Sequence, residues 1–435
     1  MQRRNFLLAG SSAAVLSACG GTGYEGSGSV GSAPGQQNRF RQSNLVATSA
    51  LYQPQIIRPQ MVNAWGIAIR PAGAGGHFWV NGGGSSWEFV GDVSQSPTAA
   101  LRTIGTDALT EVTIEGADAI SGSTSAGKAT GVVYNGAALT SNTFVPVGQQ
   151  VVTDSGEKVE LEGSARFIFV TDSGRITAWT ERRKDNGAVL RHNGPTQTVF
   201  DGSTDGMSFF GCAMNTGTWD TLWVADFGLA PQIRQFNAQW KLVPTVGFAN
   251  PFATGAGGAA RPGDFVPFNI STVGSRVFVT YAKSQAAKDN PDAFFASEED
   301  SVDAAAEKAS GYAPDCGRLA EFTLNGNLVS VYQDEKHLNA PWGVEIAPNN
   351  FGAFSNAVLV GNFRGGGHIV GFDGKTGKFL GYLRGTDNRF IGVQGLWALQ
   401  FGNGVSLGDK DALYFAAGPD DEVAGLFGSL RYMPA

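Results

Sequence analysis

Residues 62–66 read Val-Asn-Ala-Trp-Gly and residues 339–343 read Asn-Ala-Pro-Trp-Gly. Working outward from these two, the arrangement of a bulky residue, a small residue and a short apolar run recurs at Thr130-Gly131, Phe210-Gly211, Phe268-Asn269 and Trp397-Ala398, about 55 to 80 residues apart. A second apolar run follows each copy: Phe78-Trp79-Val80, Ile168-Phe169-Val170, Leu222-Trp223-Val224, Val277-Phe278-Val279, Val358-Leu359-Val360 and Leu413-Tyr414-Phe415. Most copies add a third, as in Ile233 to Phe236 or Ile369 to Phe372, and two of these lead into the hairpin signals Leu324-Asn325-Gly326-Asn327 and Asp373-Gly374-Lys375-Thr376-Gly377. Three or four β-runs per unit, repeated six times, predict an all-β, six-bladed β-propeller. A pair of β-sandwiches is the competing arrangement, but sandwich strands do not share self-similar phrases in register over two consecutive strands. In a propeller the innermost strands crowd the axis, so the small residue lets backbones approach and the aromatic is expected to fill the wedge between blades.

Composition agrees. Of 435 residues 61 are Gly, and charged residues make up 16% while aromatics make up 11%. Such a chain is too apolar and aromatic to be disordered and too Gly-rich for a helical array. Its net charge of −7 and its lack of Lys/Arg clusters exclude nucleic acid as a partner class.

The N-terminus carries an address. Arg3-Arg4-Asn5-Phe6-Leu7 resembles a twin-arginine export signature, and Leu16-Ser17-Ala18-Cys19 resembles a bacterial lipobox. The apolar stretch between them is shorter than the roughly 20 residues that a spanning helix needs. Residues 1–18 therefore read as a signal peptide, Cys19 as the lipidation site, residues 19–40 as a Gly/Ser-rich linker and residues 41–435 as the propeller. Gly20 and Gly21 after the Cys imply outer-membrane sorting, with a periplasmic or cell-surface body held to the membrane by its lipid. After processing Cys212 and Cys316 remain; an exported setting would permit them to pair, and the alternative favoured is two isolated thiols, Cys212 within a strand.

Two features of the propeller follow from counting runs. The last blade offers three, at Leu396 to Phe401, Leu413 to Phe415 and Leu426 to Leu430, before the chain stops. The apolar run Asn44 to Thr48 is the one available to supply that blade's outer strand from the N-terminus. The stretch from about 284 to 316 reads as a loop insertion with a short helix, Ser297 capping it and Ala304 to Ala309 extending it, and with Phe294-Phe295 folding back on the blade.

Chemistry-bearing motifs are sparse. The four His residues, His77, His192, His337 and His368, have no metal-ligand spacing, and there is neither a Gly-x-Ser-x-Gly elbow nor a Walker loop. Asp226-Phe227-Gly228 spells a kinase tripeptide without any other kinase signature. The repeat itself creates one constellation. The ends of the second strands align Gly82, Asp172, Asp226, Tyr281, Asn362 and Ala417, which a propeller arrays around one channel opening. Asp172, Asp226 and Asn362 are the candidate ligand-binding residues, and the two carboxylates could share a cation, calcium fitting an all-oxygen donor set. The plainer alternative is that each acid starts a turn by bonding its own backbone.

The phrases quoted above, with Tyr281-Ala282-Lys283, Leu359-Val360-Gly361-Asn362-Phe363 and Gly395-Leu396-Trp397, resemble an uncharacterised family of secreted bacterial β-propellers and, more distantly, NHL-type propellers. The likeness runs from about Asn44 to Leu430. It implies a six-bladed fold and an extracytoplasmic setting but no activity. Gly82 departs from the family, whose members tend to carry Asp there, and the Ser284 to Cys316 loop is longer. Three function classes follow: a non-catalytic binding or scaffolding module for a protein, glycan or small ligand; a metal-assisted hydrolase or lyase of the lactonase type; and a cofactor-loaded periplasmic dehydrogenase. The first is favoured because acids and His are few. On the address, Cys19→Ser is expected to release folded protein from the membrane fraction; wild type that fractionates as free periplasmic protein contradicts the lipid anchor.

Overall fold

In the computed structural model the six phrases become six radial sheets. The structure describes residues 38–117, 127–153, 155–295, 315–333 and 336–434. The signal peptide, Cys19, nearly all of the linker and the helix expected after Ser297 lie outside these residues. Blade one contains Ile67–Ala68, Phe78–Gly82, Ser85–Gly91 and Ile104–Gly105, with Glu111–Thr113 also pairing to its third strand. Blade two contains Ala129–Tyr134, Phe167–Thr171, Arg175–Trp179 and Gln197–Asp201, and blade three Phe209–Met214, Thr221–Asp226, Gln232–Asn237 and Leu242–Val243. Blade four is Phe265–Val273, Arg276–Lys283, Gly317–Thr323 and Leu328–Val331, and blade five Pro341–Ile346, Val358–Asn362, Ile369–Phe372 and Phe379–Tyr382. Each is an antiparallel meander running outward from the axis. Second strands such as Phe167–Thr171 and Ala412–Ala417 are buried along their whole length, because a blade is covered on both faces by its neighbours. That is why they read as unbroken apolar runs rather than as alternation.

The ring closes as the sequence predicts. In blade six, Leu396–Phe401, Ala412–Ala417 and Leu426–Tyr432 are joined by Phe40–Ala47, which pairs antiparallel with the last strand from Phe40 opposite Tyr432 to Ala47 opposite Leu426. Ile56–Ile57 adds a short parallel strand outside it. Phe40 is buried and its ring lies 4.7 Å from that of Phe351, so the closing strand is anchored by packing as well as by its ladder. A second clasp joins blades six and one: the Arg431 guanidinium donates to the carboxylates of Asp92 (2.8 Å) and Asp409 (3.1 Å), and the Tyr414 hydroxyl donates to Asp92 (2.8 Å).

Around the axis each small residue of the phrase faces the next blade. A Cβ on Gly66 would stand 2.6 Å from the Thr130 carbonyl oxygen, and one on Gly343 would stand 2.6 Å from that of Trp397, so neither position tolerates a side chain. Where the small residue is Asn269, its side-chain amide donates to Trp342 O (2.8 Å), and Ala398 N donates to Trp65 O (3.2 Å), completing the circle.

The aromatics of the phrase correct the sequence reading. They fill the axis itself rather than the wedges between blades. Trp65 stacks on Trp397 with centroids 3.7 Å apart and also reaches Phe210, two blades away, at 5.5 Å. Phe268 and Trp342 approach Trp397 from blades four and five, at 6.0 and 6.2 Å. The Trp342 indole N–H donates across the axis to Phe210 O (3.2 Å). The wedges are filled instead by first- and second-strand residues, as where Trp223 and Ala225 of blade three cluster with Ile270, Val277 and Val279 of blade four. The physical reason is position: the bulky residue opens the innermost strand, where there is no next strand inward to pack on, and the axis is the available apolar space.

Two insertions refine the expectation. The start of the 284–316 segment is a hairpin, Gln285–Ala287 with Asn290–Phe295, whose Phe294 folds back on the central cluster. A second hairpin, Gln150–Val152 with Lys158–Glu160, turns at Gly156 (φ 82) and accounts for the widest spacing in the repeat. Cys212 and Cys316 are buried in different blades and are not joined to each other. Deleting residues 40–47 is expected to cost several times the ~1 kcal/mol of an ordinary point mutation, because a whole paired strand is lost; a truncation that melts like wild type refutes closure by the N-terminus.

Candidate functional site

The aromatic plug divides the channel into two ends with different chemistry. The end where second strands finish carries the residues singled out from the sequence. There Ser208 ties two of them together, its N–H donating to Asp226 Oδ1 (2.9 Å) and its hydroxyl to the Asp172 carbonyl oxygen (2.8 Å). Asp226 Oδ1 also accepts from Gly228 N (2.9 Å), which is the Asx-type turn within Asp-Phe-Gly, while Oδ2 accepts from the Arg234 guanidinium (2.8 Å). Asp172 Oδ1 accepts from Lys128 N (2.5 Å); burial pushes its carboxyl up to about 6, with the Lys128 charge opposing. Burial raises Asp226 as well, against the pull of its N–H donors and of Arg234. Asn362 stands apart from this pair. Its amide oxygen accepts from Asn339 N (2.9 Å) and its nitrogen donates to His337 O (2.9 Å), fastening the approach to blade five.

Asp226 thus starts the turn that the plainer alternative describes, whereas Asp172 and Asn362 fasten segments distant in sequence. A cation on the two acids would have to take an oxygen from Arg234 and sit beside Lys128. Overhead, Lys128 Nζ pairs with Glu422 (3.0 Å), which also accepts from the Asn63 amide (2.8 Å). Beside this strap lies a depression of about 700 Å³ lined by Phe363, Arg364, Gln394, Asp421 and Glu422.

The opposite end is open and concave. A cavity of about 340 Å³ is lined by the later residues of all six innermost strands, among them Ile69, Tyr134, Met214, Ser271, Glu345 and Gln400. Aligned on the phrase, the second residue after each small one is Ala68, Val133, Ala213, Ser271, Glu345 and Gln400. Half of the ring is thus apolar and three consecutive blades, four to six, supply a polar arc. Glu345 is 8% exposed; its Oε1 accepts from the Gln400 amide (2.9 Å) and its Oε2 from Ile346 N (3.2 Å). Burial pushes the Glu345 carboxyl up to about 8. Cys212, also on the cavity, is a buried thiol whose pKa is raised by the same cause. A perturbed carboxyl in a mostly apolar concavity is the usual signature of a small-molecule site. Sequence reasoning missed it by looking at strand ends; the signal was an acid inside Trp342-Gly343-Val344-Glu345-Ile346, where the other copies carry small or neutral residues.

Comparison with known proteins finds only likenesses of low identity. No family model matches the chain. Among solved structures it is similar to the WD40 domain of Neurospora crassa Pan2, at 10% identity over 90% of this chain and 96% of the other, with a TM-score of 0.35. It is also similar to a gluconolactonase of Xanthomonas campestris, at 12% identity over 61% of this chain and 81% of the other, TM-score 0.28. Two uncharacterized proteins of Acanthamoeba polyphaga mimivirus match 211 residues at 28% and 26% identity, 48% of this chain. The chain spans about half the length of these relatives, 49% and 46%.

Two measurements check the assignments. Calcium followed by chelator is expected to leave the melting temperature of wild type unchanged, whereas Asp226→Asn is expected to cost about 3 kcal/mol with or without calcium by stranding Arg234; a calcium-dependent shift lost in that variant would restore the metal reading. For Glu345, the folded protein keeps its proton up to about pH 8 while the unfolded chain loses it near the ordinary 4.5. Stability contributed by the neutral form is thus complete below pH 4.5 and lost as pH rises toward 8. Glu345→Gln is expected to match wild type at acid pH and to become progressively more stable than it between these limits; parallel pH profiles would contradict a buried, proton-holding carboxyl.

Proposed function

We propose that this protein is an exported, lipid-tethered binding module whose propeller captures a small ligand in the open end of its central channel, without catalysing a reaction. The single observation that carries the reading is the cavity of about 340 Å³ to which all six blades contribute and in which Glu345 is held. A rigid ring of sheets converging side chains on one small volume is suited to recognition, since little ordering is needed on binding. Among the described residues no group of three or more His, Cys, Asp or Glu gathers as a metal-binding set, which supports binding over metal-assisted hydrolysis of the lactonase type. Attachment to the outer membrane through Cys19 belongs to the same reading and rests on the signal motifs.

The check is a thermal-shift screen of wild type against Ser271→Phe with small cationic, neutral and anionic compounds. Ser271 lies partly exposed on the cavity, so a benzyl group there narrows it, at the cost of one long bond from the Asn269 amide (3.3 Å). Compounds that raise the wild-type melting temperature are expected to lose their effect in the variant; shifts that persist in it place binding elsewhere and overturn the proposal.

A further inference from the structure

The buried acids of this protein fall into two groups. Glu181 pairs with Arg70 (2.8 Å), Asp226 with Arg234 (2.8 Å), Asp92 with Arg431 (2.8 Å) and Glu321 with Arg276 (2.6 Å). Glu88, Asp264 and Glu345 are buried with no Arg or Lys ion pair among the described residues, and the Asp264 carboxylate is satisfied by the Thr254 hydroxyl and by the N–H groups of Thr254 and Arg261. Glu88 is sealed inside blade one at 0% exposure, whereas Glu345 lines a cavity. The residues lining that cavity include no Lys, Arg or His, and its other titratable side chains are Tyr134 and Cys212. Glu345 receives neutral N–H donors, from the Gln400 amide and from the backbone of Ile346 and Phe401, and the Gln400 amide oxygen is a further acceptor. An unpaired carboxylate in a low-dielectric pocket lacks a counter-charge, and an acceptor-rich arc facing an apolar one calls for donors on an apolar body.

Resting on the reading of the cavity as a ligand site, we propose that its ligand is an organic cation: a primary ammonium group held by Glu345 and Gln400, with the hydrocarbon part against Ile67, Val133, Met214 and Ile270. Anions are excluded, having no cationic partner there. Before binding, the Glu345 carboxyl holds its proton at neutral pH. On binding, the O–H bond breaks, the proton leaves to solvent and the carboxylate accepts N–H bonds from the ammonium, which stays protonated. Complex formation thus releases up to one proton, and affinity rises with pH toward 8.

The experiment compares cyclohexylammonium, cyclohexanol and cyclohexanecarboxylate by calorimetry and thermal melting on wild type, Glu345→Gln and Ser271→Phe. The ammonium is expected to bind wild type, to release a proton when titrated in two buffers of different ionisation enthalpy, and to bind Glu345→Gln at least about tenfold more weakly although that variant is no less stable. Equal binding of the alcohol, or ammonium binding that survives Glu345→Gln, overturns the cation inference. If those bound probes are nevertheless blocked by Ser271→Phe, the cavity reading stands and only the charge preference falls. If no probe binds wild type, or Ser271→Phe blocks none, both readings fall.

Discussion

Everything in this protein depends on how close six strands can come to one axis. A ring of radial sheets leaves no second layer inside the first strands, so each must touch its neighbour's backbone directly or leave a gap that water would enter. The chain meets that limit with a small residue at each contact, as at Gly66, where an added Cβ would stand 2.6 Å from Thr130 O, and with large aromatics that occupy the remaining space on the axis. Dispersion and apolar burial at this point hold the six blades in common. The rest of the fold, including the polar arc around Glu345, is positioned by it.

The plug also decides which end of the channel can do chemistry. At the end where Asp172 and Asp226 lie, the aromatics block the axis, and the acids are absorbed into turns and ion pairs that hold loops in place. At the other end the inner strands diverge past the plug, and the side chains there meet a void rather than a neighbour. A buried acid means different things in the two settings. Asp226 is held by Arg234 as part of the architecture, whereas Glu345 has only neutral donors and burial keeps its carboxyl protonated at neutral pH.

How much of this was legible follows the same physics. The repeat showed the blade number, the strand register and the borrowed N-terminal strand, because each rests on a local pattern: an apolar run, a turn, a small residue at a fixed place. Trp65 and Trp397 were recognised as packing residues but assigned to the wedges, since sequence gives the strand a side chain belongs to and not whether the space beside it is an axis or an interface. Asp172 and Asp226 drew attention as aligned acids, yet an acid at a strand end is usually satisfied by the N–H groups of the turn it begins. Glu345 needed a column rather than a motif: the Ala, Val, Ala, Ser, Glu, Gln series becomes visible once the copies are stacked, but its meaning depends on a cavity that no single copy contains. The hairpin at Gln285–Ala287 was hidden because Lys288-Asp289 is a weak turn signal.

The closing strand has a consequence for orientation. Phe40 lies opposite Tyr432, at the same end of blade six as Phe401 and Asn403, whose side chains border the open cavity. The chain therefore comes into the ring on the face that carries the cavity, not on the face where Asp172 and Asp226 lie. In the proposed tethered form, the point where the chain leaves the ring and the mouth of the cavity therefore share one face of the propeller.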